Sequence, residues 1–245
     1  MNFLKSATLA LLAGIACLLT SCIDGREEVW LEADGSGRAE ITYSLPAAAA
    51  RLQGGDSGIR ELITGFLKDT PEIQSSSCDV VTEDGRTRVR VSASFASALD
   101  LKAVAEGPSI DRLPSAASHL AGQVKTEFRG RTVDFSRTIT PAKALPGASF
   151  MPASQFEGRR LEYIMHLPAA VRESNATRVE NSGRTLVWDV PLAQALKSPI
   201  VTRFQLNVPI PWKLVTAIAL PLSLTGLLVF RQVRKSRKTP GISIG

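Results

Sequence analysis

Cysteine and histidine are scarce in this chain, and its middle has no surplus of either charge. Only three of 245 residues are cysteine and two are histidine. Cys17 and Cys22 fall in or just after an amino-terminal apolar run, which leaves Cys78 alone in the body of the chain. One thiol cannot close an internal disulfide. Cys78 is therefore expected to be buried at the start of a strand, with an intermolecular link as the alternative in an oxidising compartment. His119 and His166 are too few and too far apart to match a metal-ligand pattern. No phosphate loop or dinucleotide motif is present, so no metal and no cofactor are expected. The formal charge of +6 comes from the two ends, because residues 23–211 hold all 23 acidic residues and 22 of the Lys and Arg. A middle of net charge −1 lacks the basic footprint that a nucleic-acid partner requires. Its 189 residues are enough to bury a core without disulfide staples.

What the ends do hold is legible. After Lys5, Ala7 to Thr20 is apolar or small and carries no charge. That is the short core of a secretory signal, too short to span a bilayer comfortably. It ends in Leu19-Thr20-Ser21-Cys22, which resembles the bacterial lipobox: Leu at −3, two small residues, then the Cys whose thiol takes a diacylglyceryl group. Cys17 competes but is preceded by Gly14-Ile15-Ala16, with Gly at −3. Residues 1–21 are thus expected to be a lipoprotein signal peptide and Cys22 the acylated residue, carrying palmitate-like chains. At the other end, Leu214 to Phe230 is a 17-residue run without charge. With Trp212 and Lys213 it approaches the ~20 residues needed to cross hydrocarbon. Trp212 suits the membrane interface. Pro221 and Gly226 lie inside, as membrane helices tolerate. Arg231, Arg234, Lys235, Arg237 and Lys238 follow at once, and such a tail stays in the cytoplasm. The reading is a transmembrane helix over 209–230 and a basic tail over 231–245. Residues 22–208 then stand outside the cytoplasm on the inner membrane, lipid-anchored and single-pass.

Between the anchors the pattern alternates between periods of two and 3.6. Val29, Leu31 and Ala33, then Ala39, Ile41, Tyr43 and Leu45, flank Asp34-Gly35-Ser36-Gly37 as a β-hairpin. Ile59, Leu62, Ile63, Phe66 and Leu67 keep a helical period, with Asp56 or Ser57 as cap and Pro71 as stop. A shorter helix is expected over Ala47–Leu52. Strands follow at Cys78–Thr82 and Arg86–Phe95, around Glu83-Asp84-Gly85. Ser97 and Asp100 signal a short helix ending at Gly107, and another is expected around Leu113–Leu120. Gln123–Phe128 and Thr132–Ile139 form a second hairpin. Thr140–Gly158 reads as a connector and a possible internal boundary. Strands over Leu161–Leu167, Thr177–Val179, Thr185–Val190 and Thr202–Val208 complete the region. The expected fold class is α+β, mostly antiparallel sheet with a few helices on one face.

Catalytic signals are weak. Gly54-Gly55-Asp56-Ser57-Gly58 matches the surroundings of a trypsin-like nucleophile only locally, and Ser57 has a capping explanation. Glu27/Glu28 and Glu83/Asp84 are adjacent in sequence, which sends their side chains apart in a strand or turn. No enzyme activity and no catalytic residue are expected. Two binding features remain. Arg86, Arg88 and Arg90 share one strand face at spacings of about 7 Å and can meet lipid phosphates, or can be a solvated face paired with carboxylates. Trp30 lies on the polar side of its strand near the acylated end, to rest on the membrane or under a loop.

The chain resembles the LppM-like bacterial lipoproteins, best known from mycobacteria. The resemblance is carried by Cys22 followed by the hairpin "VWLEADGSGRAEITYSLP", by the amphipathic helix, and by "EYIMHLPAAVRESNATRVENSGRTLVWDVPL", with its Leu-Pro turn and the pair Gly183 and Trp188. A membrane span with an Arg/Lys tail completes the order. It implies an exported α+β domain associated with envelope lipid or glycolipid binding, and it brings no catalytic residues. The expected function is therefore a non-catalytic, membrane-anchored lipoprotein whose partners are membrane lipids. The alternative is a scaffold that contacts an envelope protein complex.

Overall fold

The computed structural model describes residues 23–98, 115–145 and 148–207. Cys22, Trp212, the signal segment, the apolar run and the basic tail lie outside these residues, as does nearly all of the helix expected before Gly107. Among the described residues no helix is long and apolar enough to cross a membrane.

Among the described residues eleven strands make two sheets. The first hairpin forms β1 (Asp24–Leu31) and β2 (Gly37–Pro46). After a short helix α1 (Ala47–Arg51) and the amphipathic α2 (Gly55–Lys68) come β3 (Ile73–Glu83) and β4 (Arg86–Phe95). Helix α3 (Ser115–Ala121) precedes the hairpin β5 (Gln123–Arg129) and β6 (Thr132–Ile139). A short helix α4 (Pro141–Ala144) leads on to β7 (Arg160–His166), β8 (Val171–Ser174) and β9 (Arg178–Glu180). The last elements are β10 (Thr185–Pro191), the one-turn α5 (Leu192–Ala195) and β11 (Ile200–Asn207).

The larger sheet runs β3-β4-β2-β1-β7-β10-β9, the smaller β5-β6-β11-β8. Every pairing is antiparallel except that of β1 with β7, where Glu27 stands level with Tyr163 and Trp30 with His166. The class is thus strand-rich α+β, built on two sheets where one was expected.

Alternation along each strand sorts the side chains between faces. On the inner face Leu161, Tyr163, Leu186 and Trp188 of the large sheet share one core with Ile139, Ile200, Phe204 and Leu206 of the small one. The stretch read as a connector contributes Ala144, Leu145, Ala148 and Phe156 to that core. Helix α2 lies against β3, and Leu67 of the helix, Val80 of β3, and Val89 and Phe95 of β4 are buried. Gly25 stands opposite Tyr43 because a Cβ there would overlap the tyrosine ring.

Three local expectations are corrected. Helix α2 starts two residues before Ser57, from Gly54 in the left-handed conformation, and no side chain caps it. Asp56 instead accepts a hydrogen bond from the Thr82 hydroxyl at 2.5 Å. Cys78 is half-buried and sits in mid-strand, because β3 begins at Ile73. The serines at 75 to 77 carry no apolar alternation, and it is pairing with β4 that holds them extended. Burial pushes the Cys78 thiol above its ordinary pKa, which keeps it in the less reactive protonated form.

Candidate polar-face binding site

The outer face of the large sheet is a lattice of charge. Because strand partners stand directly opposite, its side chains form rows across the sheet. One row runs Arg90, Thr42, Arg26, Glu162, Asp189 from β4 to β10. The next begins Arg88, Ser44, Asp24. Between them lies an open depression of about 320 Å³, lined by Asp24, Arg26, Thr42, Ser44, Arg160, Glu162 and Asp189 with the backbone of Gly25 and Gly158.

Most of these charges are paired. Arg26 bridges Glu28 at 2.8 Å and Glu162 at 2.7 Å. Arg160 binds Asp189, and Arg178 reaches Glu162 and Asp189 at 3.8 and 3.6 Å. Asp24 accepts from Arg159 at 2.7 Å and Arg86 at 3.1 Å. The three arginines of β4 therefore divide. Arg86 is tied down, donating also to the Ser44 hydroxyl at 2.9 Å. Arg88 and Arg90 are exposed and, among the described residues, carry no ion pair. They stand one strand away from Ser44 and Thr42, at the rim of the depression.

Further along the same face, the His166 ring stacks on Trp30 at 5.1 Å and the Arg38 guanidinium covers the indole at 4.1 Å. His166 also bonds Glu28 through Nε2 at 2.8 Å and Thr185 through Nδ1 at 3.1 Å. Trp30 is thus on the polar face, as its alternation implied, and held on both sides. Burial works against the Glu28 charge, but the hydrogen bonds from His166 and Arg26 outweigh it and hold this carboxyl below its ordinary range. A depressed carboxylate stabilises the fold above its unfolded pKa, about 4.3. That contribution disappears as pH falls through the folded value. Glu28→Gln is expected to lower stability at neutral pH, with the difference from wild type vanishing in acid. Urea midpoints measured from pH 7 down to pH 3 test this.

Glu27, the neighbour of Glu28, points to the opposite face and is buried, 7% exposed. It accepts from Arg137 of β6 at 2.6 Å and from the Tyr43 hydroxyl at 2.6 Å. Arg137 donates as well to the carbonyls of Ala121 and Leu120, at 2.7 and 3.0 Å, and lies 5.4 Å over the Tyr163 ring. Burial first, and the Glu27 charge second, push the Tyr43 and Tyr163 phenols above their ordinary range. This cluster joins the two sheets inside the core. Nothing local in the sequence marks it, since its members lie far apart along the chain.

Among the described residues no group of three or more His, Cys, Asp and Glu is placed to hold a metal ion. Ser57 donates weakly to the Gly54 carbonyl at 3.4 Å, while His166 is engaged with Glu28, Thr185 and Trp30. A second hollow, of about 170 Å³, is lined by Met151, Phe156 and Leu196 with Lys197 at its edge. Phe150 beside it is 92% exposed.

No protein-family model matches the chain, and no curated protein matches it. Among solved structures it is similar to the folded domain of LppM from Mycobacterium tuberculosis, determined by NMR. The two share 15% identity over 77% of this chain and 91% of that one, with a TM-score of 0.49.

Proposed function

We propose that this chain is an inner-membrane lipoprotein, acylated at Cys22 and held also by a span over 209–230, whose polar sheet face binds the headgroup of an envelope lipid or glycolipid without catalysis. The observation that carries the binding reading is the pair of unpaired guanidiniums, Arg88 and Arg90, at the rim of a depression floored by hydroxyls and carboxylates. Guanidinium forks suit a phosphate. The Thr42 and Ser44 hydroxyls, with Asp24, Glu162 and Asp189, offer the donors and acceptors that sugar hydroxyls need. The lipobox, the apolar run and the basic tail support the anchoring.

The full chain is expected to co-purify with a lipid from membrane extracts, seen as a lipid-mass adduct by native mass spectrometry. Charge-assisted hydrogen bonds contribute about 1.5–3 kcal/mol each. The double change Arg88→Ala/Arg90→Ala is therefore expected to weaken lipid binding by at least about tenfold. Stability is expected to hold within about 0.5 kcal/mol, because both side chains are exposed. An undiminished adduct in the double variant would dismiss the site. Absence of any adduct would favour the scaffold reading, which the exposed Phe150 beside its apolar hollow supports.

A further inference from the structure

The two anchors leave the folded region at opposite ends of its strands, and that restricts how the region can meet the membrane. This inference rests on the anchoring proposed above. At one end Ile23 packs against the core and Asp24 is gripped by Arg86 and Arg159. Cys22 is thus one residue, about 3.8 Å between Cα atoms, from a fixed point. At the other end Asn207 closes β11, paired with Thr132. Four residues, 208–211, lie between it and Trp212 in the sequence, a stretch of chain that spans at most about 17 Å when fully extended. Trp30 is level with His166, only four residues lie between His166 and Val171, and Val171 is level with Leu206. The end of β11 is therefore at the far end of β1, about 20 Å along the strand from Asp24.

Most orientations fail on these lengths. With the Asp24 end down, Asn207 stands about 20 Å up, beyond the reach of 208–211. With the Asn207 end down, Cys22 is lifted by the same distance. Edge-on contact fails because β1 is the fourth strand of seven, about 14 Å from either edge. If the small sheet faced the membrane, β1 would stand about 10 Å further back, behind a one-residue tether. With the outer face of the large sheet down, Asp24 lies at the surface and Asn207 about 10 Å behind it, within reach.

We infer that the polar face of the seven-stranded sheet lies against the anionic headgroup surface of the membrane that carries both anchors. Its exposed groups suit that surface. Arg88 and Arg90 are unpaired cations, and Arg38 caps Trp30, an amphipathic ring of the kind that settles at headgroup depth. Facing carboxylates are either paired, as Glu28, Glu162, Asp24, Asp189 and Glu180 are, and as Asp79, level with Arg90, is with Arg60 at 3.9 Å, or sit singly at Glu40 and Glu83. The depression then opens onto lipids of the same bilayer.

The test uses the full chain in phosphatidylglycerol-containing vesicles with a headgroup spin-labelled lipid. In a Cys78→Ser background, a fluorophore is attached at Glu40→Cys on the outer face of the large sheet, or at Arg203→Cys on that of the small sheet. Both positions are exposed. With the sheets about 10 Å apart, quenching is expected to be at least about threefold stronger at position 40. Equal quenching, or stronger quenching at 203, in protein that resists alkaline extraction and carries the acyl mass would overturn the orientation and leave the anchoring intact. Protein that is washed off and lacks the acyl mass would remove the anchoring and the orientation with it.

Discussion

Arg137→Met is expected to cost about 3–5 kcal/mol of folding stability, because it strands the Glu27 carboxylate inside the core. The pair spans both sheets at 2.6 Å, with Arg137 and Glu27 side chains 18% and 9% exposed. Removing the cation also frees the carbonyls of Leu120 and Ala121, which then lack a donor. A domain of this kind has about 5–15 kcal/mol in total, so the loss is a large share of it. The double variant Glu27→Leu/Arg137→Met is expected to be less damaged than Arg137→Met alone, since no charge is left buried. Urea midpoints at constant m value measure both. A double variant as unstable as the single one would mean that the carbonyls and the Tyr43 hydroxyl, not the stranded charge, set the cost.

Trp188→Ala is expected to cost a comparable amount, about 3–5 kcal/mol, for a different reason. The indole is 3% exposed between the sheets, and its loss opens a cavity that rigid strands cannot close. Its Nε1–H also donates to Asn175 at 2.9 Å. The same Asn175 oxygen accepts from the Arg203 N–H at 2.7 Å, and the Asn175 amide donates to the Val201 carbonyl at 2.7 Å. Asn175 thus stitches β10 to β11. Trp188→Phe keeps most of the volume and leaves Asn175 its bond to Arg203, so about 1–2 kcal/mol is expected. Parallel urea titrations of the two variants separate cavity from hydrogen bond.

Elements with local periodicity were readable. The hairpin of β5 and β6, the end of the amphipathic helix, and the strands Arg160–His166 and Thr185–Pro191 lie within a residue or two of their expected bounds, whereas β1 and β3 each begin about five residues earlier than their alternation implies. Strand β8 went unnoticed because Val171–Ser174 is four residues long and only its ends are partly covered. The second sheet and the parallel pairing of β1 with β7 have no local signature, since nothing in either strand encodes which partner lies more than a hundred residues away. The polar-face site was half legible. Alternation put Arg86, Arg88 and Arg90 on one face, and the structure keeps them there. It could not show that Asp24, 62 residues away, takes Arg86 out of play. Sequence places Glu27 and Glu28 on opposite faces of a strand but cannot give Glu27 its buried role, because its partner Arg137 comes 110 residues later.

That separation bears on the order of assembly. β1 through β4 are complete by Phe95 and pair as neighbours, so this half of the large sheet can form as soon as it is made. Its fourth strand, β1, then presents an unpaired edge until β7 arrives at Arg160–His166. Bringing such distant segments together is slow, because the entropy of closing the intervening loop is lost before any contact repays it. An unpaired edge waiting that long invites pairing with another chain. Folding is therefore expected to show a long-lived, half-built species whose fate depends on concentration, with completion timed by the carboxy-terminal third of the polypeptide.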